Sequence, residues 1–189
     1  MSTTAYTRRL ADTALKQYER FHLMREQEPA LASQIEAYWS GIDDFPGVQV
    51  PWSAVFVSWC VREAGATATE FRFAAAHSRF VVQAIRNQTN GAGVFRGRKV
   101  DEYAPRVGDI LHNNRSGNSF DYDYAKTHSA YESHSAIVIE VGTDNKGKYL
   151  RSVGGNESDS IGMKEVRLNS NGLVKNPAGL YICIIEDLK

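Results

Sequence analysis

The chain lacks the features that mark several special classes of protein. It has only two cysteines in 189 residues, Cys60 and Cys183. Both sit inside apolar runs, which excludes the dense, even pattern of a disulfide-stapled domain. The expectation is two buried thiols in a reduced compartment. Neither charge is in excess, since 22 lysines and arginines balance 22 acids. A nucleic-acid binder usually carries a basic surplus, so nucleic acid is not expected as a partner. The run Arg96, Arg98 and Lys99 reads more readily as a solvated loop than as a binding patch. No apolar run approaches the roughly 20 residues that cross a bilayer, so no membrane span is expected. Met1 to Arg9 has no apolar core of the signal-peptide kind. The expectation is a protein made in the cytoplasm, with a dedicated system needed for any export. Repeats and low-complexity tracts are missing, and no spacing of His, Cys and carboxylates suggests a zinc site or another cofactor.

What is present fits a chain of 189 residues that forms a single domain, with residues 1–40 as a helical extension packed on it. A core of that size buries roughly 70% of the unfolded chain's surface without a staple. Residues 4–40 read as helix: Leu10, Ala14, Tyr18 and Phe21 share one face, Pro29 opens a second helix and Gly41 ends it. Residues 43–50 read as a loop. From Ser53 to Gly65 the sequence is apolar nearly all round, the profile of a central buried helix. Another helix is expected over Phe73 to Ile85, and a long loop over residues 87–105. From Val107 the period changes. Asp109–His112, Ser135–Val141, Tyr149–Val153, Ile161–Val166 and Leu180–Ile185 read as strands. A polar, tyrosine-bearing insertion, Asn113–Ser133, is expected to flank any cleft. Helices first and strands afterwards imply an α+β domain, an antiparallel sheet packed on the helix that begins at Ser53.

Three places carry candidate chemistry, each with a plainer alternative. Ser53 opens the buried helix, where unpaired N–H groups and the helix dipole favour an anionic nucleophile or an oxyanion; the plainer role is an N-cap. His134 begins the strand Ser133-His134-Ser135-Ala136-Ile137-Val138 and could serve as general base, or merely close the strand. Asn156 follows two glycines, Gly154 and Gly155, and could orient an imidazole, or sit in a hairpin turn. Glu157 or Asp109 could supply the negative charge that Asn156 cannot give His134, and Asp109 reads more readily as structural. His77, on a helix expected to wall the cleft, is either a satisfied structural histidine or a substrate-binding one, and Trp52 beside Ser53 is a second substrate-contact candidate. His112 and His128 read as a strand end and a mobile loop. Cys60 lies two helical turns beyond Ser53 and too deep to act as nucleophile.

Together these pieces resemble the NlpC-type and CHAP-type cell-wall amidases and peptidases. Pro51-Trp52-Ser53-Ala54 is similar to that family's proline-tryptophan-cysteine-alanine helix start. Val107-Gly108-Asp109-Ile110 resembles its glycine-aspartate strand start, Ser133–Val138 its histidine strand, and Gly154-Gly155-Asn156 its third motif. The match runs from about residue 46 to 167. The family's nucleophilic cysteine is replaced here by Ser53. Ala75-Ala76-His77-Ser78 resembles a segment of a bacterial subfamily of uncharacterised function in which that serine is usual.

The resemblance implies a papain-like fold and a hydrolase of amide or peptide bonds in peptidoglycan, with a Ser53, His134, Asn156 triad. It also implies a phage lysin or, preferably, an exported antibacterial toxin, with an immunity or secretion protein as partner. Two other classes stay open: an inactive, cleft-bearing binding module, and an esterase or acyltransferase on the same scaffold.

Overall fold

The computed structural model describes residues 4–189, so the first three residues of the expected N-terminal extension lie outside the described residues. The element order is α1 (Ala5–Phe21), α2 (Pro29–Trp39), α3 (Ser53–Glu63), α4 (His77–Thr89), β1 (Phe95–Arg98), β2 (Ile110–Asn114), α5 (Tyr122–Thr127), β3 (Ser133–Asp144), β4 (Gly147–Gly154), β5 (Gly162–Arg167) and β6 (Tyr181–Asp187). The six strands form one open antiparallel sheet in the order β1-β6-β2-β3-β4-β5, so the chain is an α+β fold.

Helix α1 starts where Thr4 Oγ1 accepts from the Thr7 N–H, satisfying one of the orphan donors of a first turn. Its apolar face (Tyr6, Leu10, Ala14, Phe21) joins the same core as α2, α3 and the sheet residues Ile110, Ile137 and Val153. The N-terminal helices therefore help build the core rather than decorate it. Pro29 opens α2 at a position where its missing N–H costs nothing. Helix α3 buries eight of its eleven residues, which is why its sequence shows no polar face.

Three segments differ from the sequence expectation, each for a physical reason. Helix α4 begins at His77, not Phe73. Ser58 Oγ on α3 donates to the Ala74 carbonyl and accepts from the Ala74 N–H, both at 3.1 Å. That tether takes up the backbone groups a helix would need and leaves Ala76 extended. The segment 87–105 is not all loop. It contains β1, whose pairing with β6 compensates for the weak strand propensity of Phe95-Arg96-Gly97-Arg98. The insertion 113–133 holds the short helix α5, capped where Asp121 Oδ1 accepts from the Tyr124 N–H at 2.8 Å. Ser78 Oγ donates to the Ser129 carbonyl, fixing this insertion to the start of α4.

Both cysteines are free and buried. Among the described residues, no helix is long and apolar enough to cross a membrane.

Candidate active site

Ser53 is the first residue of α3; the residue before the helix is Trp52. No side chain caps this end, so the N–H groups of the first turn keep their hydrogen-bonding capacity. The N-cap role weighed for Ser53 is therefore not the one it has. Its hydroxyl instead meets His77 Nε2 at 2.7 Å. The Ser58–Ala74 tether and the α4 start at His77 bring the two together. Serine and imidazole are both buried, at 3% and 6% exposure, beside a cleft of about 320 Å3. Burial, then the neighbouring His134, His112 and Arg115 charges, hold the His77 pKa well below the usual histidine value. The ring is thus neutral at neutral pH and able to accept a proton. Its Nδ1 has no hydrogen-bond partner, so no carboxylate stands behind it.

This differs from the sequence expectation, in which His134 faced Ser53. His134 lies one imidazole further along, 5.5 Å from His77 between ring centroids in an edge-on arrangement. Its Nε2 is 2.8 Å from Glu157 Oε1, an ion-pair distance, although the approach lies off the direction of a ring N–H. Glu157 also pairs with Lys164. Its burial works to raise the carboxyl pKa, and contact with His134 and Lys164 overcomes this and lowers it to about 2. The partner of His134 is therefore Glu157, not Asn156.

Asn156 takes a left-handed conformation (φ 54°), and its side-chain amide donates to Glu26 Oε2 at 3.3 Å. The same Glu26 oxygen accepts from Trp52 Nε1 at 3.0 Å. Trp52 is fully buried between this bond and the Tyr38 ring, so it supports the start of α3 and presents nothing to a substrate. Glu26 is a residue that sequence reasoning did not single out. It ties the turn after α1 to both the residue before Ser53 and the loop before Glu157. No local pattern marks it, because its partners are 26 and 130 residues away.

The two glycines ahead of Asn156 are needed for close approach. A Cβ at Gly154 would stand 2.7 Å from His134 Nε2, and one at Gly155 2.6 Å from the Phe56 Cβ. His112 lies deeper, with Nδ1 on Ser135 Oγ at 2.8 Å and Nε2 on Tyr131 Oη at 3.1 Å. Burial and then His134 lower its pKa to about 3. It is a satisfied strand histidine. His128 stacks on Tyr124 at 3.8 Å, far from these groups in role, on the exposed end of α5. Asp109 accepts from Tyr103 Oη and the Arg106 and Asp187 N–H groups, a structural use. Both ends of the insertion line the Ser53 cleft, the first through Arg115 and Ser116 and the second through Tyr131, Glu132 and Ser133.

No curated protein and no solved structure matches the chain. A protein-family model does, over residues 24–185, a span that holds Ser53, His77, His134 and Glu157 but leaves out all of α1. The chain therefore belongs to DUF2272, the family described as an uncharacterized protein conserved in bacteria.

Proposed function

We propose that this protein is a hydrolase of amide or peptide bonds in bacterial peptidoglycan, built on a papain-like plan with serine in the nucleophile's place. The carrying observation is the 2.7 Å contact between Ser53 Oγ, at the start of the buried helix, and a neutral His77. The substrate class comes from the resemblance of the helix, strand and Gly-Gly-Asn motifs to cell-wall amidases. An exported toxin or a phage lysin is the setting that suits such a substrate.

In this reading Ser53 Oγ attacks the scissile carbonyl as its proton passes to His77 Nε2. The first-turn N–H groups of α3 receive the oxyanion, aided by the dipole of the eleven-residue helix. His77 then gives its proton to the leaving amine, and water repeats the sequence to release the acid and restore Ser53. With no acceptor at Nδ1, the imidazolium lacks the stabilisation a full triad supplies. His134, with Glu157 Oε1 2.8 Å from its Nε2, stands behind His77 as a second layer.

One observation favours a different class. Ser53 is only 3% exposed and its hydroxyl is already satisfied. In a binding module the Ser53–His77 contact would be a latch between α3 and α4, and the cleft would hold a ligand without cutting it. Hydrolysis of purified cell wall by four variants separates these readings. Ser53→Ala and His77→Ala should each lower the rate by about a thousandfold or more, in the range of a lost general base. Loss in His134→Ala with full activity in His77→Ala would return the base to His134. Silence of the folded wild type and of Ser53→Cys alike, with no labelling by a serine-directed phosphonate, establishes the binding module. Hydrolysis of small esters but not of cell wall would assign the esterase alternative.

A further inference from the structure

The wall of the Ser53 cleft carries a cation with nothing to hold. Arg115 is exposed, lines the cleft with Ser53 and His77, and has no hydrogen-bonded or ion-paired acid for its guanidinium among the described residues. It is close enough for its charge to act on His77. Ser133, paired across the β2–β3 ladder with Asn114 next to Arg115, also lines the cleft; it is 7% exposed and its Oγ has no hydrogen-bond partner. A buried hydroxyl normally finds a partner, and one left open beside a cleft is available to a ligand.

The backbone that presents Arg115 is shaped for this. Ser116 adopts a left-handed conformation (φ 57°), a sparsely populated region for a residue with a side chain. The turn is closed by the Asn118 N–H on the Arg115 carbonyl at 3.0 Å. Asn118 Nδ2 then donates to the Glu132 carbonyl at 3.1 Å, tying the turn to the residue beside Ser133. Arg115 and Ser133 are thus carried by two neighbouring segments, the end of β2 and the start of β3, held at a fixed spacing by the ladder and this turn. Among the described residues, Glu132 is the only acid on the cleft wall, and it is exposed.

We propose that Arg115 and Ser133 form a carboxylate subsite, so that the ligand of this cleft is a short acyl peptide with a free carboxylate next to the bond presented to Ser53. A planar guanidinium matches a carboxylate with two parallel N–H···O bonds, and the Ser133 hydroxyl donates a third. A cleft of about 320 Å3 has room for a segment of only a few residues, which places the chain end inside it. This subsite rests on the assignment of the Ser53 cleft as the working site and adds the class of ligand it selects.

The test uses N-acetyl-alanyl-alanine as the free acid and as its C-terminal amide, with binding followed by calorimetry and by amide NMR shifts on the inert Ser53→Ala protein. The acid should bind at least about tenfold more tightly than the amide, the margin of a charge-assisted hydrogen bond over a neutral one. Arg115→Gln should erase the preference and Arg115→Lys should keep part of it, because lysine retains charge without the fork. Ser133→Ala should narrow it, and Glu132→Gln should widen it by removing the opposing charge. The preference should shrink as salt is raised. Equal binding of acid and amide, no binding of either at about 10 mM, or a preference that survives Arg115→Gln overturns the subsite. Hydrolysis of cell wall without the acid preference would leave the hydrolase standing and remove the subsite. The preference without any hydrolysis would do the reverse.

Discussion

Strand β2 runs between two clusters of titratable side chains that are treated in opposite ways. At its start, Asp109 uses both carboxylate oxygens on three donors, and Glu186 beside it is held by Arg98 and Arg106. At its end lie His112, His77 and His134, and here polar atoms are left over: His77 Nδ1 and Ser133 Oγ have no hydrogen-bond partner. A buried polar group without a partner costs roughly 1–3 kcal/mol, so folding alone gives no reason to keep two of them at one place. The acid end stabilises the fold and the histidine end is available for chemistry. The acid end has one loose atom of its own, Asp187 Oδ2. Burial raises that carboxyl to about 7, so it carries a proton over much of the range in which His77 and His112 are neutral.

Substitutions that break this contrast should do so unequally. The largest effect belongs to His77→Gln, which should cost roughly a thousandfold in hydrolysis while the cooperative thermal transition persists; a full loss of that transition would show His77 to be structural. Glu186→Gln at the opposite end should leave turnover per folded molecule unchanged. It should cost about 3 kcal/mol in a urea titration, because two arginines then face a nearly buried neutral group. Gly155→Ala should cost about 2 kcal/mol and depress activity with it, since the added methyl must displace Phe56 or Trp52 under the start of α3.

The pH dependence sharpens the same comparison. Folded His77 and His112 resist protonation, whereas the unfolded chain takes up protons from about pH 6.5 downward. Each therefore lowers stability by about 1.4 kcal/mol per pH unit as pH falls through that window, which closes near pH 3 for His112. Asp109 and Asp187 act oppositely. Burial raises them to about 6 and about 7, so their contribution is complete below the unfolded carboxyl value and is lost as pH rises through those values. Between roughly pH 4.5 and 6 the two slopes offset each other, and urea midpoints should be nearly flat. In Asp109→Asn/Asp187→Asn the midpoints should instead climb with pH across that window. A wild type already steep there would show that one cluster does not titrate as described. The smallest effect is that of Lys164→Ala. Its side chain is 63% exposed, so the loss should be about 0.5 kcal/mol or less in the same urea titration.

How much of this was legible in the sequence varies with range. The 3.6-residue pattern of α1, the proline that opens α2, the unbroken apolar run of α3 and the short β-rich runs of β2 to β6 are local signals, and each element lies close to where they put it. Helix α5 and strand β1 are short and polar, and they exist through a cap and a strand partner, so no periodicity announced them. Among the site residues, Ser53 was legible because a serine ahead of an apolar helix is a local fact. His77 was legible as a histidine on a helix walling the cleft, structural or substrate-binding, but not as the partner of Ser53.

By itself the sequence determined the α+β order, the buried helix with a serine at its start, and a histidine and a Gly-Gly-Asn segment on successive strands. Only the tertiary structure decided which imidazole Ser53 touches. That choice depends on the Ser58 hydroxyl gripping the Ala74 backbone, on an α4 start displaced to His77, and on Glu157 engaging His134 from the far side. It also decided that Asn156 reaches back to Glu26 and that Trp52 is sealed in the core. A side chain's partner is fixed by the meeting of segments 24 to 130 residues apart, and nothing in the neighbouring residues encodes that distance.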